Sequence, residues 1–363
     1  MRVLVVKTSS LGDVIHTLPA VTDAARAVPG IRFDWVVEEA FAEIPAWHPA
    51  VDKVIPVALR RWRRNPFAAA TRAEWRAYRA AVGATAYDLI IDAQGLLKSA
   101  FLARQAHGPL HGLDRHSARE PLASFAYEHR HAVPWGRHAV RRVRELFAAA
   151  LGYKLPSKAG GEDDGAARAN AATYGLERAR ILDRAVETTS DSPPRLVFLH
   201  GTTWPTKHWP EPYWRELAVL ASTAGWQILI PWGNDVERKR ATRIAAGLPA
   251  VHVLPKLPLS GLAATIAAAT GCVAVDTGLG HLAAALDVPT LSLFGPTNPA
   301  FTGAWGRRQY RLASDKSCAP CLKKQCPRKD SARGKAAVQP PCFSRLSPAR
   351  VWRAFVARVA ANR

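Results

Sequence analysis

The sequence has little of what would tie it to an oxidising compartment or thread it through a membrane. Its 363 residues include five cysteines and one methionine, too sparse for the disulfide framework of a small secreted domain. It has no run of about 20 apolar residues of the kind a spanning helix needs. The most apolar stretches are strand-length, or Ala-rich and broken by Arg, Gly or Pro. The amino terminus, Met1-Arg2-Val3-Leu4-Val5-Val6-Lys7, reaches a charge after four apolar residues, which is short of a signal-peptide core. The expectation is a soluble cytoplasmic protein. Acidic residues are also scarce, with 29 Asp and Glu against 50 Lys and Arg, a net charge of +21. Such an excess suits nucleic acid, anionic lipid or phosphorylated substrates; an Arg- and Ala-rich genome composition accounts for it equally well. Two nucleotide signatures are missing. The order Gly-x4-Gly-Lys-Ser/Thr is absent, and no Gly-x-Gly-x2-Gly follows the first strand, which argues against a dinucleotide-dependent oxidoreductase. No nucleic-acid reading motif is present, so nucleic acid is not expected as a partner.

What is present is alternation of apolar strands with helical stretches. Arg2 to Val6, Phe33 to Val37, Lys53 to Val57 and Asp88 to Asp92 read as strands, with a helix through Leu18-Pro19-Ala20-Val21, another over Thr71 to Val82 and a third over Val140 to Leu151. Composition then shifts: residues 157–194 are rich in Ala, Gly, Asp, Ser and Thr and close on Pro193-Pro194, a linker region with a helix near Ala166 to Tyr174. Strands resume at Leu196 to Leu199, Gln227 to Pro231, Cys272 to Val275 and Thr290 to Phe294, separated by helices at Pro212 to Thr223 and Asp235 to Ala246. Residues 347–363 form a last amphipathic helix opened by Ser347-Pro348. The expectation is an α/β protein of two doubly wound, Rossmann-like domains, 1–156 and 195–346, facing across a cleft, with the terminal helix packing back on the N-terminal domain. In such sheets ligands bind at the C-terminal ends of the strands, and the polar motifs of this chain fall on those loops.

The first loop, Lys7-Thr8-Ser9-Ser10-Leu11-Gly12-Asp13, opens a helix. Asp13 either caps that helix or acts as general base on an acceptor hydroxyl. In the second half, His200-Gly201-Thr202-Thr203-Trp204-Pro205-Thr206-Lys207 follows a strand, and two hydroxyls with one ammonium suit a diphosphate. Val275-Asp276-Thr277-Gly278-Leu279-Gly280-His281 is a strand running through a Gly-rich turn into a helix, whose N–H groups make an anion site. Glu237, after Pro231-Trp232-Gly233-Asn234, either bonds ribose hydroxyls, as an acidic residue does in dinucleotide sites, or is a solvated first-turn Glu. Arg60-Arg61-Trp62-Arg63-Arg64 is the densest basic run near a strand end; guanidinium forks match phosphate and carboxylate groups. Trp62 either meets a lipid interface or packs beneath the run. Cys318, Cys321, Cys326 and Cys342 are spaced more like a thiolate metal site than a disulfide framework, although the last gap does not fit a zinc ribbon; reduced thiols in an irregular loop are the alternative. Cys272 reads as core.

The stretch from Lys7 to Ala20 resembles the opening of the bacterial lipopolysaccharide heptosyltransferases, glycosyltransferase family 9. Phe33 to Glu39, Arg60 to Arg63, Ala118 to Ser124, Lys207 to Pro210, Pro231 to Gly233 and Asp276 to His281 resemble the heptosyltransferase I branch of that family. The likeness spans nearly the whole chain outside the linker and the part after about residue 310; the cysteine segment departs from that branch. The resemblance implies a GT-B fold, with the nucleotide sugar held by the C-terminal domain and the acceptor by the N-terminal one. It implies Asp13 as catalytic base. Thr202, Thr203, Lys207, Thr277 and Gly278 would hold the diphosphate, with Gly280 in the same turn; Glu237 would hold the ribose, and Asp276 and His281 the sugar side. Adenine would lie near Lys256-Leu257. Arg60, Arg61, Arg63, Arg64, Lys98 and Arg119 would face the acceptor. The implied reaction moves heptose from ADP-heptose, a substrate rather than a cofactor, to Kdo2-lipid A at the cytoplasmic face of the inner membrane, with no cofactor required. Heptosyltransferase II, acting on a heptosylated core, is the neighbouring possibility.

Overall fold

The computed structural model describes residues 1–155, 171–182, 193–328 and 338–359. They form two compact units, the first containing residues 1–155 with Ala172–Leu176 and the second Ala171 with the described residues from Glu177 onward. Most of the linker, and of the helix expected near Ala166 to Tyr174, lies outside the described residues; Ala171–Thr173 is a single 3-10 turn.

The first unit runs β1 (Arg2–Val6), α1 (Leu11–Ala27), β2 (Arg32–Glu38), α2 (Glu43–Ala46), β3 (Val51–Val57), α3 (Leu59–Trp62), α4 (Ala69–Gly83), β4 (Leu89–Asp92), α5 (Leu97–Ala103), β5 (Leu110–Leu113), β6 (His129–His131) and α6 (Ala139–Leu151). Its six strands are all parallel, in the order β3-β2-β1-β4-β5-β6. The central strand β1 is apolar on both faces, with Val3 to Val6 fully buried, as expected where helices cover both sides of a parallel sheet. Helix α1 packs on α6, and Arg144 clamps Asp23 between them through two bonds, Nε to Oδ2 at 2.5 Å and Nη2 to Oδ1 at 3.1 Å.

The second unit runs α7 (Arg178–Leu182), β7 (Arg195–Leu199), α8 (Glu211–Thr223), β8 (Gln227–Ile230), α9 (Asp235–Ala245), β9 (Val251–Val253), α10 (Leu259–Ala267), β10 (Gly271–Val275), α11 (Gly278–Ala285), β11 (Thr290–Phe294), α12 (Pro299–Thr302), β12 (Gln309–Ala313) and α13 (Pro348–Val359). The strand order is β12-β11-β10-β7-β8-β9, again all parallel. Both sheets therefore have the doubly wound order in which the chain lays strands to one side of its first strand, then crosses to the other. Four strands were not foreseen: β5, β6, β9 and β12.

The terminal helix corrects an expectation. Rather than packing back on the N-terminal half, α13 lies on α8 and β11, and Val351, Phe355 and Val359 belong to the second core. Phe355 packs edge-on to Trp226 at 5.5 Å and stacks on Trp352 at 5.9 Å. Among the described residues no helix is long and apolar enough to cross a membrane. Phe355→Ala should therefore destabilise the second unit by about 3–5 kcal/mol, read as a lower urea midpoint by tryptophan fluorescence of the full chain. An unchanged midpoint would place the helix outside that core.

Candidate active site

In the first unit the loop after β1 meets the loop after β4. The backbone N–H groups of Thr8 and Ser9 donate to Gln94 Oε1 at 3.0 and 3.2 Å, and Gln94 Nε2 donates back to Ser9 O at 2.7 Å. The β4 loop is itself held by buried Asp92, which accepts from Gln94 N at 2.8 Å, Gly95 N at 3.2 Å, Ser99 Oγ at 2.8 Å and Tyr127 OH at 2.8 Å. Ser10 is the N-cap of α1, and both its N–H and its hydroxyl donate to Asp13 Oδ2 at 2.8 Å. The two alternatives for Asp13 are thus compatible: the cap engages one carboxylate oxygen and fixes the group's orientation.

Burial pushes the Asp13 pKa up, but the Lys7 ammonium, the two Ser10 bonds and Arg119 outweigh it and hold the carboxyl below its ordinary value. Lys7 opens the same motif, and the sequence alone assigns it no role. Its ammonium is buried and donates to Ala93 O at 2.8 Å. Burial lowers its pKa, while Asp13 and Asp92 oppose that. The result is a carboxylate kept ionised, with Lys7 the largest influence holding its pKa down.

Of the expected acceptor residues, Lys98 is exposed on the first turn of α5 and Arg119 is exposed on a loop against Gly95. The four guanidiniums of the basic run have different surroundings. Arg61 is paired with Glu39 at 3.0 Å and Glu74 at 2.8 Å, two acids that raise its pKa. Arg60 lies over the Phe41 ring at 5.8 Å. Arg63 and Arg64 are exposed. Trp62 is buried, donates to Glu74 and meets Trp75 edge-on at 6.1 Å, so it packs beneath the run.

The second unit repeats the arrangement with different chemistry. The loops after β7 and β10 are joined by Thr202 Oγ1 donating to Asp276 O at 3.1 Å, and by an ion pair between Lys207 Nζ and Asp276 Oδ2 at 2.7 Å. Thr297, on the loop after β11, donates to the same Oδ2 at 2.8 Å. Lys207 also lies over the Trp204 ring at 4.6 Å. Thr203 is exposed beside it. Thr277 is the N-cap of α11, whose first N–H groups, at Gly278 and Leu279, have no acceptor within the helix; Gly280 and His281 are buried in its first turn. Sequence reasoning assigned Asp276 to a sugar and Lys207 to phosphate; here they hold each other.

Glu237, in the first turn of α9, accepts from Gly233 N at 2.8 Å. A side chain on Gly201 would meet its carboxylate at 2.8 Å, so the glycine is what lets Glu237 lie against the β7 loop. Trp232 Nε1 donates to Leu254 O at 2.7 Å, tying this loop to the segment that carries Lys256, exposed, and Leu257, half-buried. His200 and His208 are pulled down to about 4, by burial first and then by Arg240, and are neutral at pH 7.

The cysteines stand apart from this chemistry. Cys272 is buried core, its thiol pushed up to about 12 by burial. Cys318, Cys321, Cys326 and Cys342 are free thiols. Cys342 is also pushed up to about 12, by burial first and then by Cys321, Cys326 and Cys318 nearby. Among the described residues no group of three or more His, Cys, Asp or Glu is arranged to hold a metal ion. The segment braces the site: Thr206 Oγ1 donates to Lys323 O at 2.7 Å and Lys324 lies 5.7 Å from the Trp204 ring centroid.

Comparison with known proteins bears on the family of the chain. Residues 75–332 match the family model for glycosyltransferase family 9 (heptosyltransferase). The lipopolysaccharide heptosyltransferase 1 of Pseudomonas aeruginosa is 59% identical over 357 residues, 97% of this chain and 96% of that protein. The solved structure of E. coli heptosyltransferase WaaC with ADP matches with a TM-score of 0.78 at 50% identity, covering 86% of this chain and 93% of that one. The same enzyme with ADP-2-deoxy-2-fluoro heptose matches with a TM-score of 0.75 at 50% identity, over the same 86% and 93%. A lipopolysaccharide heptosyltransferase 2 of Salmonella typhimurium is 32% identical over 120 residues, 31% of this chain and 34% of that protein. Two doubly wound α/β units of the GT-B type, with a near-full-length match in sequence, lead to one conclusion: this chain belongs to glycosyltransferase family 9, the heptosyltransferases.

Proposed function

We propose that the chain is an inverting heptosyltransferase, moving L-glycero-D-manno-heptose from ADP-heptose to a Kdo hydroxyl of Kdo2-lipid A in lipopolysaccharide inner-core assembly. The observation that carries this is the second unit's switch-point site: Lys207, Asp276 and the start of α11 beside Glu237. A cation and free N–H groups suit a diphosphate, and an adjacent carboxylate suits a ribose. The match to heptosyltransferase 1 along the whole chain, against a partial one to heptosyltransferase 2, favours the unheptosylated acceptor. The enzyme would work peripherally at the cytoplasmic face of the inner membrane.

In the proposed reaction an acceptor oxygen attacks the anomeric carbon as the bond to ADP breaks, and Asp13 takes the hydroxyl proton. Negative charge gathers on the departing diphosphate. Lys207, the hydroxyls of Thr202 and Thr203 and the N–H groups of α11 would stabilise it, a task of preorganised donors. Asp276 orients Lys207 before the donor arrives, and phosphate then draws on the same ammonium. Glu237 would take the ribose hydroxyls, Leu257 the adenine, and Asp276 and His281 the sugar. Lys98, Arg119, Arg60, Arg63 and Arg64 would take the acceptor's anionic groups. The direct test is to mix the purified chain with ADP-heptose and Kdo2-lipid A and look for the mass of one added heptose; turnover only on a heptosylated acceptor would favour the heptosyltransferase 2 activity.

Three variants separate the roles. Lys207→Ala should weaken ADP binding about 10- to 100-fold, the loss of a charge-assisted bond, by calorimetry; unchanged affinity removes Lys207 from the donor site. Asp13→Asn should keep ADP binding and lose roughly 100- to 10,000-fold in turnover, the range for general-base catalysis. The amide oxygen of Asn can still accept from Ser10 at this third helical position, so a variant with normal turnover would leave Asp13 a capping-box role alone. Lys7→Met removes the cation that helps hold the Asp13 pKa down. The base works deprotonated, so the acid limb of the kcat/KM profile should lie below the ordinary carboxylate range in the wild type and move to higher pH in the variant. A limb that stays in place would mean that Lys7 does not tune the base.

A further inference from the structure

Outside the site just described, the first unit exposes large apolar side chains on two neighbouring elements. On α5, Leu97 is 49% and Phe101 58% exposed; on the 3-10 turn Pro121–Ala126, Leu122 is 63% and Phe125 67% exposed. The i, i+4 spacing of Leu97 and Phe101 sets them on one helix face. Two bonds hold the elements side by side in the same direction: Leu97 N donates to Glu120 Oε2 at 2.7 Å at one end, and Arg104 Nη1 to Ala126 O at 3.5 Å at the other. Phe101 is further steadied by stacking on Trp75 of α4 at 5.3 Å. Four large exposed side chains on a fixed platform are not the scatter of single apolar residues found on any surface.

The charges around this platform favour an anionic partner. Lys98 lies between the two apolar residues of α5, Arg104 caps its end, and Arg130 lies against the 3-10 turn, its Nε donating to Ser124 O at 3.0 Å. All three are exposed. The nearby acids are Glu120, which accepts the Leu97 N–H, and Glu128. Apolar side chains ringed by Lys and Arg make the surface that enters the interface of an anionic bilayer, where apolar insertion and attraction to acidic headgroups add.

We propose that α5 and the turn Pro121–Ala126 form a docking surface for an anionic lipid bilayer. Resting on the reading that the acceptor is lipid-linked, the surface explains how the acceptor is reached. Lys98 and Arg119, the residues suggested for its charged groups, border the apolar platform, so the sugar end could be held while the acyl chains stay in the membrane.

The test uses the full chain and vesicles without acceptor, so its outcome does not depend on the identity of the substrate. The wild type should float with phosphatidylglycerol-containing vesicles, lose that binding as salt is raised, and bind pure phosphatidylcholine vesicles at least tenfold more weakly. The variant Phe101→Ser, Leu122→Ser, Phe125→Ser should lose at least tenfold in vesicle binding while keeping the wild-type ADP affinity and circular dichroism. Lys98→Gln, which removes a charge that holds neither element to the other, should weaken binding to anionic vesicles only. Equal binding by the wild type and the triple variant would overturn the proposal, as would wild-type binding indifferent to headgroup charge and salt. A triple variant that loses self-association but keeps vesicle binding would assign the platform to a second copy of the chain and likewise overturn it. Failure of heptose transfer in solution, with vesicle binding intact, would count against the proposed reaction and not against the surface.

Discussion

Parallel strands need crossover connections, and these are almost always right-handed. A chain that adds strands to one side of its first strand and then to the other must send the two sets of covering helices to opposite faces. The loops leaving the first strand and its later neighbour then part, and a gap opens at their C-terminal ends. Both sheets of this protein obey that constraint, with the gap between β1 and β4 in one and between β7 and β10 in the other. The chemistry of each unit is set by what fills its gap.

The two gaps are filled differently, and the difference follows from charge and burial. In the first unit the gap is spanned by the three bonds between Thr8, Ser9 and Gln94 and by the Lys7 ammonium, which reaches Ala93 O on the β4 side. Asp13 lies on the β1 side of it. A buried ammonium is costly unless bonded and paired; Ala93 O supplies the bond and Asp13 and Asp92 the opposing charge. In the second unit an ion pair itself spans the gap, Lys207 on one loop and Asp276 on the other, with side-chain exposures of 17% and 6%. An ion pair so nearly buried contributes little net stability against its desolvation. Its consequence is orientation: the ammonium is held at the start of α11, where a helix terminus already favours an anion. The first gap holds a base ionised; the second holds a cation ready.

How much of this was legible in the sequence follows from the same geometry. The inner strands, such as Val3 to Val6 and Cys272 to Val275, are covered on both faces and read as apolar runs. The missed strands are either very short or interrupted by polar residues: His129–His131, Val251–Val253 and Gln309–Ala313 lie at sheet edges, and Leu110–Leu113, broken by His111 and Gly112, lies one place in. Pairing with a neighbour, not their own pattern, makes them strands. The turns around Asp13 and Asp276 were visible because glycine and a capping residue mark the approach to a helix. Gln94 was not, because its importance comes from lying beside a loop 86 residues earlier in the chain, and nothing local announces that adjacency. The ion pairs of Arg61 were hidden for the matching reason: it meets acids 13 and 22 residues away, and spacing along the chain does not reveal them.

The charge excess can be apportioned in the same terms. Arg32 with Asp52, Arg144 with Asp23, Arg243 with Glu211, Arg307 with Asp287 and Arg345 with Asp315 are ion pairs, most of them exposed, that contribute little to stability. They show where the scarce acids go. With 29 acids for 50 cations, the surplus must lie somewhere, and like charges left close together repel. A surplus set only by genome composition would be spread over the surface without regard to the strand ends. Part of it is so spread, as Arg76 and Arg79 of α4 and Lys239 of α9 are, but Arg63 and Arg64 follow the end of β3, Lys98 follows the end of β4 and Arg119 that of β5, and none of these four has an ion pair among the described residues. The acids that could have neutralised this neighbourhood are committed elsewhere: Glu39 and Glu74 to Arg61, and Glu120 to the Leu97 N–H. Arg119 has the Asp13 carboxylate within electrostatic reach; Arg63, Arg64 and Lys98, exposed at the same end of the sheet, are cations whose charge an anion supplied from outside the protein would offset.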